Sequence, residues 1–293
     1  MNSYFPITGH TGLTGLLGSP VAHSLSPMMH NTSFQHLGLD YVYLCFDVDE
    51  NGLEEAVKGL KRCGIRGFNL TMPDKNRMAE LADELSPAAS IIGAVNTVVN
   101  NNGRLIGHNT DGIGFMRSVA DAGLDPRGKT VTVMGAGGAS TAICAQAALD
   151  GVRELRIFAR PSSRFHDRTV RLVDTINRTT SCRAALMDQA DQTALKHSLE
   201  DSYLLVNATS VGMAPNTDAS IIRDPSMLHE GLAVGDVIYN PRETLLLKQA
   251  AHAGCKTFNG MYMLLYQGAE AFRLWTGQDM PVDLVKELYF RKS

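Results

Sequence analysis

The sequence predicts an α/β protein built from two α/β units, and three observations support that prediction. Short β-rich segments alternate with helical segments along the whole chain, an order typical of parallel sheets with helical crossovers. The polar connector GLDPRGK (123–129) interrupts the pattern, and a more apolar strand, TVTVM, follows it. That strand runs directly into a glycine-rich loop and a helix, which is the arrangement of a dinucleotide-binding unit.

Length and composition fit two globular domains. The chain has 293 residues, of which 44% are hydrophobic and 19% charged, so it can bury a large core. A net charge of −3 without a basic stripe predicts no nucleic-acid partner. The five cysteines are scattered, as in a reducing compartment, and the nine histidines lack metal-ligand spacing. No signal peptide or membrane span is recognisable, so we expect a cytoplasmic protein without a metal.

The first half predicts strands and helices in alternation, followed by a hairpin. The segment AVNTVVNNNGRLIGHNT contains two apolar runs around NNNG, a strong hairpin signal. The other predicted strands are 13–19, 41–48 and 65–71. The predicted helices are 26–38, 52–64 and 79–85.

The second half repeats the alternation and ends in helical segments. Its predicted strands are TVTVMGAGG, ELRIFAR, YLLVNAT, AVGDVIY and CKTFNG. Its predicted helices are 112–122, 139–150, about 165–178, 190–200, 242–253, and the segments MLLYQGAEAFRLWTG and PVDLVKELYF.

The glycine loop VTVMGAGGAS is the most informative local signal. Glycines allow a sharp turn and close approach to a pyrophosphate, while the following helix N-terminus offers free N–H groups. The match to G-x-G-x-x-G is imperfect because Ser140 stands at the third glycine, and a tight turn without a ligand is the alternative. No Gly-Lys-Ser/Thr follows, which excludes a kinase-type phosphate loop. The candidate cofactor-binding residues are Gly135, Ala136, Gly137, Gly138, Ala139 and Ser140.

The end of the next strand favours NADP over NAD. An NAD site usually carries an acidic residue there, but RIFARPSSRF contains none. Two arginines and neighbouring hydroxyls suit a 2′-phosphate, although an ordinary basic surface loop is the alternative. The candidate residues are Ala159, Arg160, Ser162 and Arg164.

Polar clusters interrupt the apolar strands of the first half. HSLSP carries Ser24 and Ser26, two hydroxyls that can hold a carboxylate or cap a helix. GFNLTMPDKN, AVNT and HNTDG contribute Thr71, Lys75, Asn96 and Asp111. Singly, Asn96 and Asp111 are explained as turn formers and Lys75 as a solvated charge. Together they predict a site for a small polyhydroxylated acid beside a nicotinamide.

These motifs resemble the shikimate dehydrogenase family. The resemblance covers nearly the whole chain, in family order, and VYLCFDV with Tyr43 is most similar to the quinate/shikimate dehydrogenase branch. The motifs are GSPVAHSLSPMMHN, GFNLTMPDKN, AVNTVVN, GHNTDG, MGAGGAS, NATSVGM and LLYQGAEAFRLWTG.

The resemblance implies roles for individual residues. Lys75 and Asp111 are the implied catalytic pair, and Ser24 and Ser26 the implied ligands of the substrate carboxylate. The other implied substrate-binding residues are Tyr43, Thr71, Asn96, Asp111 and Gln267. The implied cofactor-side residues of the later loops are Thr209, Ser210, Val237, Tyr239, Asn240 and Gly260.

The resemblance also implies the domain organisation and the reaction. Residues 1–111 and 259–293 form the expected substrate-binding domain, completed by the C-terminal helices, and residues 112–258 the Rossmann-like NAD(P)-binding domain. The expected reaction is reversible reduction of 3-dehydroshikimate to shikimate. Quinate as a further substrate, an aminoshikimate-like substrate and a non-catalytic nucleotide sensor are open alternatives, as is a homodimer. Asn259 and Tyr262 depart from the family pattern.

Overall fold

The structure is a computed structural model that describes residues 6–71 and 73–290. The chain divides into two compact units, Met1–Thr110 with Gln267–Ser293, and Asp111–Tyr266. The second unit thus begins next to the expected residue 112, while the return to the first unit falls inside a helix and later than the expected residue 259.

Twelve strands and eleven α-helices are defined in the described ranges. The strands are β1 (Gly12–Gly18), β2 (Tyr41–Asp47), β3 (Gly67–Leu70), β4 (Glu84–Leu85), β5 (Thr97–Asn101), β6 (Arg104–His108), β7 (Thr130–Met134), β8 (Glu154–Ala159), β9 (Arg183–Asp188), β10 (Leu204–Asn207), β11 (Ala233–Asp236) and β12 (Lys256–Phe258). The helices are α1 (Ser26–Leu37), α2 (Leu53–Arg62), α3 (Lys75–Leu81), α4 (Pro87–Ile92), α5 (Asp111–Asp121), α6 (Gly138–Leu149), α7 (His166–Thr179), α8 (Gln192–Glu200), α9 (Leu245–His252), α10 (Met261–Thr276) and α11 (Val282–Val285).

The first unit contains a mixed six-stranded sheet in the order β2-β1-β3-β5-β6-β4. Strand β1 pairs in parallel with β2 and β3, whereas β5 is antiparallel to both β3 and β6. Strands β5 and β6 form the predicted hairpin. Its turn residues Asn102 (φ 52°) and Gly103 (φ 88°) are left-handed, as a two-residue hairpin turn requires.

From Gln267 onward the C-terminal helices belong to the first unit. The Trp275 indole lies against β3 and donates its Nε1–H to the Val98 carbonyl at 2.9 Å. A Cβ atom at Gly67 would lie 2.2 Å from that indole nitrogen, so only glycine fits beneath it. Phe272 stacks on Phe34 of α1 with ring centroids 5.0 Å apart. These contacts bury the large apolar side chains of α10 on the sheet.

The second unit contains six parallel strands in the order β12-β11-β10-β7-β8-β9. If β7 to β12 are numbered 1 to 6, the order from β9 to β12 is 3-2-1-4-5-6, which is the Rossmann arrangement. In this arrangement the first strand, here β7, leads into the nucleotide-binding turn. The α/β fold class predicted from the sequence is therefore confirmed. Within residues 6–71 and 73–290, none of the helices combines the length and the hydrophobicity that a membrane span needs.

Four elements differ from the sequence predictions. Strand β9 and helix α4 were missed, helix α3 begins at Lys75 rather than at residue 79, and β4 replaces the end of that predicted helix. The β9 sequence RAALMD lacks β-branched and aromatic residues, so its strand propensity is low and pairing with β8 decides its conformation. Helix α4 is short, but Ser86 caps it by accepting from the Ala89 N–H.

Candidate active site

A buried chain of hydrogen bonds links the strands of the first unit. The Tyr43 hydroxyl donates to Asn69 Oδ1 at 2.8 Å, and Asn69 Nδ2 donates to the Asn96 carbonyl at 3.2 Å and to Thr97 Oγ1 at 2.9 Å. Asn96 Oδ1 in turn accepts from the Thr110 N–H at 2.8 Å. All five residues are at most 5% exposed. The structure thus joins Tyr43 and Asn96, two predicted substrate residues, through Asn69.

Main-chain hydrogen bonds hold Thr71 and Lys75 beside this chain. The Thr71 N–H donates to the Leu17 carbonyl at the end of β1 at 3.0 Å. The Lys75 carbonyl accepts from the Val95 N–H at 2.8 Å, and Val95 directly precedes Asn96. Three predicted site residues, Thr71, Lys75 and Asn96, are therefore fixed at one end of neighbouring strands.

The two predicted carboxylate ligands lie at the start of α1. Ser26 is the first residue of the helix, and its N–H donates to Ser24 Oγ at 3.2 Å. Burial and the nearby Cys45 raise the pKa of Tyr43 well above its usual 10, and a hydrogen bond from the Ser26 hydroxyl opposes the rise. Ser26 therefore lies at the beginning of the same polar chain.

Lys75 and Asp111 each begin a helix. Lys75 is the first residue of α3, where the positive end of the helix dipole makes an ammonium group unfavourable. Asp111 is the first residue of α5, where the dipole favours a carboxylate. It directly follows Thr110, which is bonded to Asn96. Helix stability therefore explains the position of Asp111 and does not explain that of Lys75.

The glycine loop of the second unit connects β7 to α6. Gly135 has a φ of 120°, and a Cβ there would lie 2.8 Å from the Ala208 carbonyl oxygen, so the loop requires glycine. A Cβ at Gly137 or Gly138 would meet no atom within 4 Å. Gly137 occupies the N-cap position of α6, so no N-cap side chain binds the free N–H groups of the first helical turn. Ser140 is buried and donates its hydroxyl to the Gly135 carbonyl at 2.7 Å, which holds the loop in shape.

A cleft of about 210 Å³ lies over this loop. It is bounded by the ends of β7, β8 and β10, where a parallel sheet of this type binds its ligand. The lining residues are Gly135, Ala136, Gly137, Ala159, Arg160, Ser163, Phe165, Gln189, Ala208, Thr209 and Ser210.

Some predicted cofactor residues do not line this cleft. Arg164 stacks its guanidinium on the Phe165 ring, 4.6 Å from the centroid, and Ser162 is exposed. The others outside the lining are Gly138, Ala139, Ser140, Val237, Tyr239, Asn240 and Gly260.

Gly260 has a packing reason to be glycine. A Cβ there would lie 1.9 Å from the Val237 carbonyl oxygen, and the Gly260 N–H donates to the Ile238 carbonyl at 3.1 Å. The loop after β11 is therefore fastened directly to the start of α10. Among the departures from the family pattern, Tyr262 packs edge-on against Tyr266 with centroids 6.4 Å apart, and Asn259 Nδ2 donates to the Arg242 carbonyl at 2.8 Å.

Sequence reasoning missed several residues of these sites. Asn69 is the centre of the polar chain, but inside the strand motif GFNL it looked like a strand residue. Gln189 lines the cleft directly after β9, which was not predicted. Ser163 and Phe165 line it from the loop after β8, where the sequence pointed to Ser162 and Arg164 instead. A polar residue inside an otherwise apolar strand, as in GFNL, was the available signal for Asn69.

The fold and the two candidate sites define a class of protein: an α/β protein with a Rossmann-type dinucleotide-binding unit and a buried polar site in its other unit. Residues 16–98 match the shikimate dehydrogenase substrate binding domain family, and residues 260–288 match the shikimate 5′-dehydrogenase C-terminal domain family. Over 284 residues the chain is 49% identical to a protein of Listeria innocua named shikimate dehydrogenase (NADP(+)), covering 97% of each chain. The chain belongs to the shikimate dehydrogenase family.

Solved structures agree with this assignment. The crystal structure of shikimate 5-dehydrogenase from Listeria monocytogenes, in complex with shikimate and NAD, superposes with a TM-score of 0.95 at 48% identity, covering 98% of this chain and 99% of that one. Quinate dehydrogenase from Corynebacterium glutamicum, in complex with NAD, superposes with a TM-score of 0.82 at 32% identity, covering 94% and 98%.

Proposed function

We propose that this protein is an NADP-dependent shikimate dehydrogenase that interconverts 3-dehydroshikimate and shikimate. The observation that carries the proposal is the buried polar chain of the first unit, which gathers Tyr43 and Asn96 and fixes Lys75 beside them. A polyhydroxylated ring needs several oriented donors and acceptors at once, and this chain supplies them on rigid strands.

Each substrate group has a proposed partner. Ser24 and Ser26 bind the carboxylate at the start of α1, where the helix N-terminus adds a favourable field. Thr71, Asn96, Asp111 and Gln267 bind ring hydroxyls. Tyr43 is fully buried and acts through its hydrogen bond to Asn69. The relatives named shikimate dehydrogenase (NADP(+)) support this substrate class.

Lys75 and Asp111 form the proposed proton-transfer pair. Lys75 moves the proton to or from the reacting oxygen, and Asp111 orients the ammonium group and balances its charge. A bound nicotinamide supplies the hydride donor or acceptor. The position of Lys75 at a helix N-terminus, where helix stability disfavours it, supports a functional role.

The cleft of the second unit fits a dinucleotide. The start of α6, which has no side-chain cap, and the open space beside Gly137 and Gly138 accommodate a pyrophosphate. Arg160 stands at the end of β8, where an NAD site usually has an acid, and this favours NADP. The relatives named for NADP(+) support that preference, although the Listeria monocytogenes structure contains NAD.

Quinate is the second candidate substrate. The similarity to quinate dehydrogenase, at 32% identity, supports it. The second hydroxyl of HSLSP is a serine, Ser26, which favours shikimate because quinate-using members of the family often carry threonine there.

The first test is a two-by-two assay of the purified protein, with shikimate or quinate and NADP or NAD, followed by absorbance of the reduced nicotinamide. Fastest turnover with shikimate and NADP supports the proposal. Faster turnover with quinate or NAD revises the substrate or the cofactor. No turnover in any combination, with NADPH binding retained, would favour a nucleotide sensor or a relative with another substrate.

Replacing Lys75 tests the mechanism. Lys75→Ala is expected to reduce kcat by about 10²–10⁴, the usual contribution of a positioned acid or base, while NADPH affinity stays within about twofold. Lys58→Ala is the control, because Lys58 is a solvent-exposed lysine of the same unit paired with Glu54. Near-normal turnover of Lys75→Ala would remove this lysine from the mechanism.

A further inference from the structure

A buried carboxylate joins two loops of the second unit. Asp236, the last residue of β11, is 0% exposed. Its Oδ1 accepts from Asn207 Nδ2 at 3.1 Å and from the Ile238 N–H at 3.0 Å, and its Oδ2 accepts from Thr244 Oγ1 at 2.8 Å. The three donors come from the end of β10, from the loop after β11 and from the cap of α9.

Asn207 extends this network to the nucleotide cleft. Its Oδ1 accepts from the Thr209 N–H at 3.1 Å and from Thr209 Oγ1 at 2.7 Å, while its Nδ2 also donates to the Val211 carbonyl at 3.2 Å. Thr209 lines the cleft. The position of Thr209 is therefore set by an asparagine whose own amide is held by Asp236.

The second arm holds the loop after β11. The Ile238 N–H is bound by Asp236, and the Ile238 carbonyl accepts from the Gly260 N–H at 3.1 Å. Thr244 caps α9 by accepting from the Leu247 N–H at 3.4 Å. One carboxylate thus anchors both loops that the family resemblance places on the cofactor side.

Burial of this carboxylate is unfavourable by itself. Desolvation raises the pKa of Asp236, and the hydrogen bonds from Ile238, Thr244 and Asn207 oppose the rise. A buried polar group is tolerated when its partners are complete, and a complete network then allows only one arrangement of the attached loops. The arrangement explains why a polar residue ends this otherwise apolar strand.

We propose that Asp236 is a positioning residue for the nicotinamide cofactor, acting through Asn207 on Thr209 and through Ile238 on the loop after β11. The proposal rests on the proposed function, because it assumes that these loops contact the cofactor. Asp236 itself touches neither substrate nor cofactor in this scheme.

The test compares Asp236→Ala with Asp236→Asn. The alanine variant removes all three acceptor contacts and is expected to weaken NADPH binding and raise the KM for NADP at least tenfold, with the KM for shikimate within twofold. The asparagine variant keeps the Oδ1 contacts with Asn207 and Ile238, and its Nδ2 can donate to Thr244 Oγ1 in place of accepting from it. It is expected to restore near-normal values.

Thr132→Ala is the matched control. Its hydroxyl is equally buried in the same sheet, at 2.7 Å from both Ser198 Oγ and Ser202 Oγ, and it does not touch either loop. The control should lower stability without changing NADPH affinity. If Asp236→Ala does not fold, two other variants remove its contacts one at a time: Asn207→Ala on the Thr209 side and Thr244→Val on the side of α9. Asn207→Ala is expected to weaken NADPH binding more than Thr244→Val.

NADPH binding is measured by titration of its own fluorescence, independently of turnover. Unchanged NADPH affinity in Asp236→Ala, or equal rises in the KM for NADP and for shikimate, would overturn the positioning role. Absent turnover in the unmodified protein would instead count against the proposed function. The two failures are therefore distinguishable.

Discussion

Among the residues that line the cleft over the glycine loop, Arg160 carries the single charge. A guanidinium bound to a phosphate contributes a charge-assisted hydrogen bond worth about 1.5–3 kcal/mol. Arg160→Ala is therefore expected to raise the KM for NADP by about 10- to 100-fold and the KM for NAD less than threefold. Steady-state kinetics with both cofactors measure this difference.

Arg178→Ala is the control for Arg160, because Arg178 is an exposed arginine in the last turn of α7. It should change neither KM. An equal effect of Arg160→Ala on NAD and NADP would show that Arg160 does not recognise the 2′-phosphate.

Asp74, unlike Arg160, is an acidic side chain buried where no hydrogen bond from the structurally described part of the chain compensates its charge. It precedes Lys75, is 0% exposed, and neither carboxylate oxygen has a hydrogen-bond partner among the described residues. Burial first, then the charges of Glu50 and Asp49, raises the pKa of Asp74 from 3.8 to about 6. The ionised carboxylate therefore destabilises the fold.

The expected consequence is a pH-dependent gain in stability from Asp74→Asn. The pKa of Asp74 is higher in the folded protein than in the unfolded chain, so the folded protein binds more protons between pH 3.8 and about 6. The free energy of unfolding therefore falls as the pH rises through this range. At pH 8 the substitution should add up to about 3 kcal/mol to the free energy of unfolding, and below pH 4 almost nothing. Urea unfolding at the two pH values measures both.

Asp83 provides a control of opposite sign. A hydrogen bond from the Leu105 N–H, then one from Lys61, lowers the pKa of Asp83. The ionised Asp83 carboxylate therefore stabilises the fold at neutral pH, and this stabilisation is lost in acid. Asp83→Asn should accordingly lower the free energy of unfolding at pH 8. A stability gain of Asp74→Asn that is the same at both pH values would contradict the assignment to ionisation.

At the scale of elements, each sheet has an edge strand whose backbone groups are bound by one asparagine. Asn31 of α1 accepts from the Tyr43 N–H at 2.8 Å and donates to its carbonyl at 3.0 Å. Asn177 of α7 does the same for Ala184, at 2.8 and 3.0 Å. Strands β2 and β9 end their sheets, and unpaired edge groups are a template for aggregation.

Asn31→Ala and Asn177→Ala are each expected to lower the free energy of unfolding by about 1–3 kcal/mol, because two edge-strand groups lose their partner. Both should also aggregate faster on heating. Urea unfolding and light scattering are the measurements. The control is Asn51→Ala, because the amide of Asn51 makes only a 3.5 Å contact with Asp49. An equal fall in the free energy of unfolding of Asn51→Ala would show that the edge-strand contacts are not responsible.

Local sequence was sufficient for most elements of this fold. The hairpin of β5 and β6 followed from NNNG alone, because that turn has few alternatives. Strand β9 was not predictable, since RAALMD becomes a strand only by pairing with β8. Gln189 was missed for the same reason, because its place in the cleft depends on that pairing.

At the scale of the whole molecule, ligands are expected to stabilise the two units differently. A ligand at 100 times its Kd stabilises the native state by about 2.7 kcal/mol. NADP should slow amide hydrogen exchange in the second unit around the glycine loop and residues 207–211. Shikimate should slow it in the first unit around residues 69–75 and 95–97. Exchange followed by mass spectrometry tests both.

A control for this experiment is AMP, which offers the adenosine part without the nicotinamide. It should protect the end of β8 and the loop after it, and protect residues 207–211 less than NADP does. Identical protection patterns for shikimate and NADP would contradict the separate assignment of the two sites.

The sequence by itself determined the alternation of strands and helices, the glycine loop, and the residue types at the strand ends, because these depend on local periodicity and backbone sterics. Only the tertiary structure decided which polar groups are joined. Asn69, Asp236 and Asn31 act through partners 27, 29 and 12 positions away. Such pairings depend on how strands are ordered in a sheet, and no local pattern contains that information.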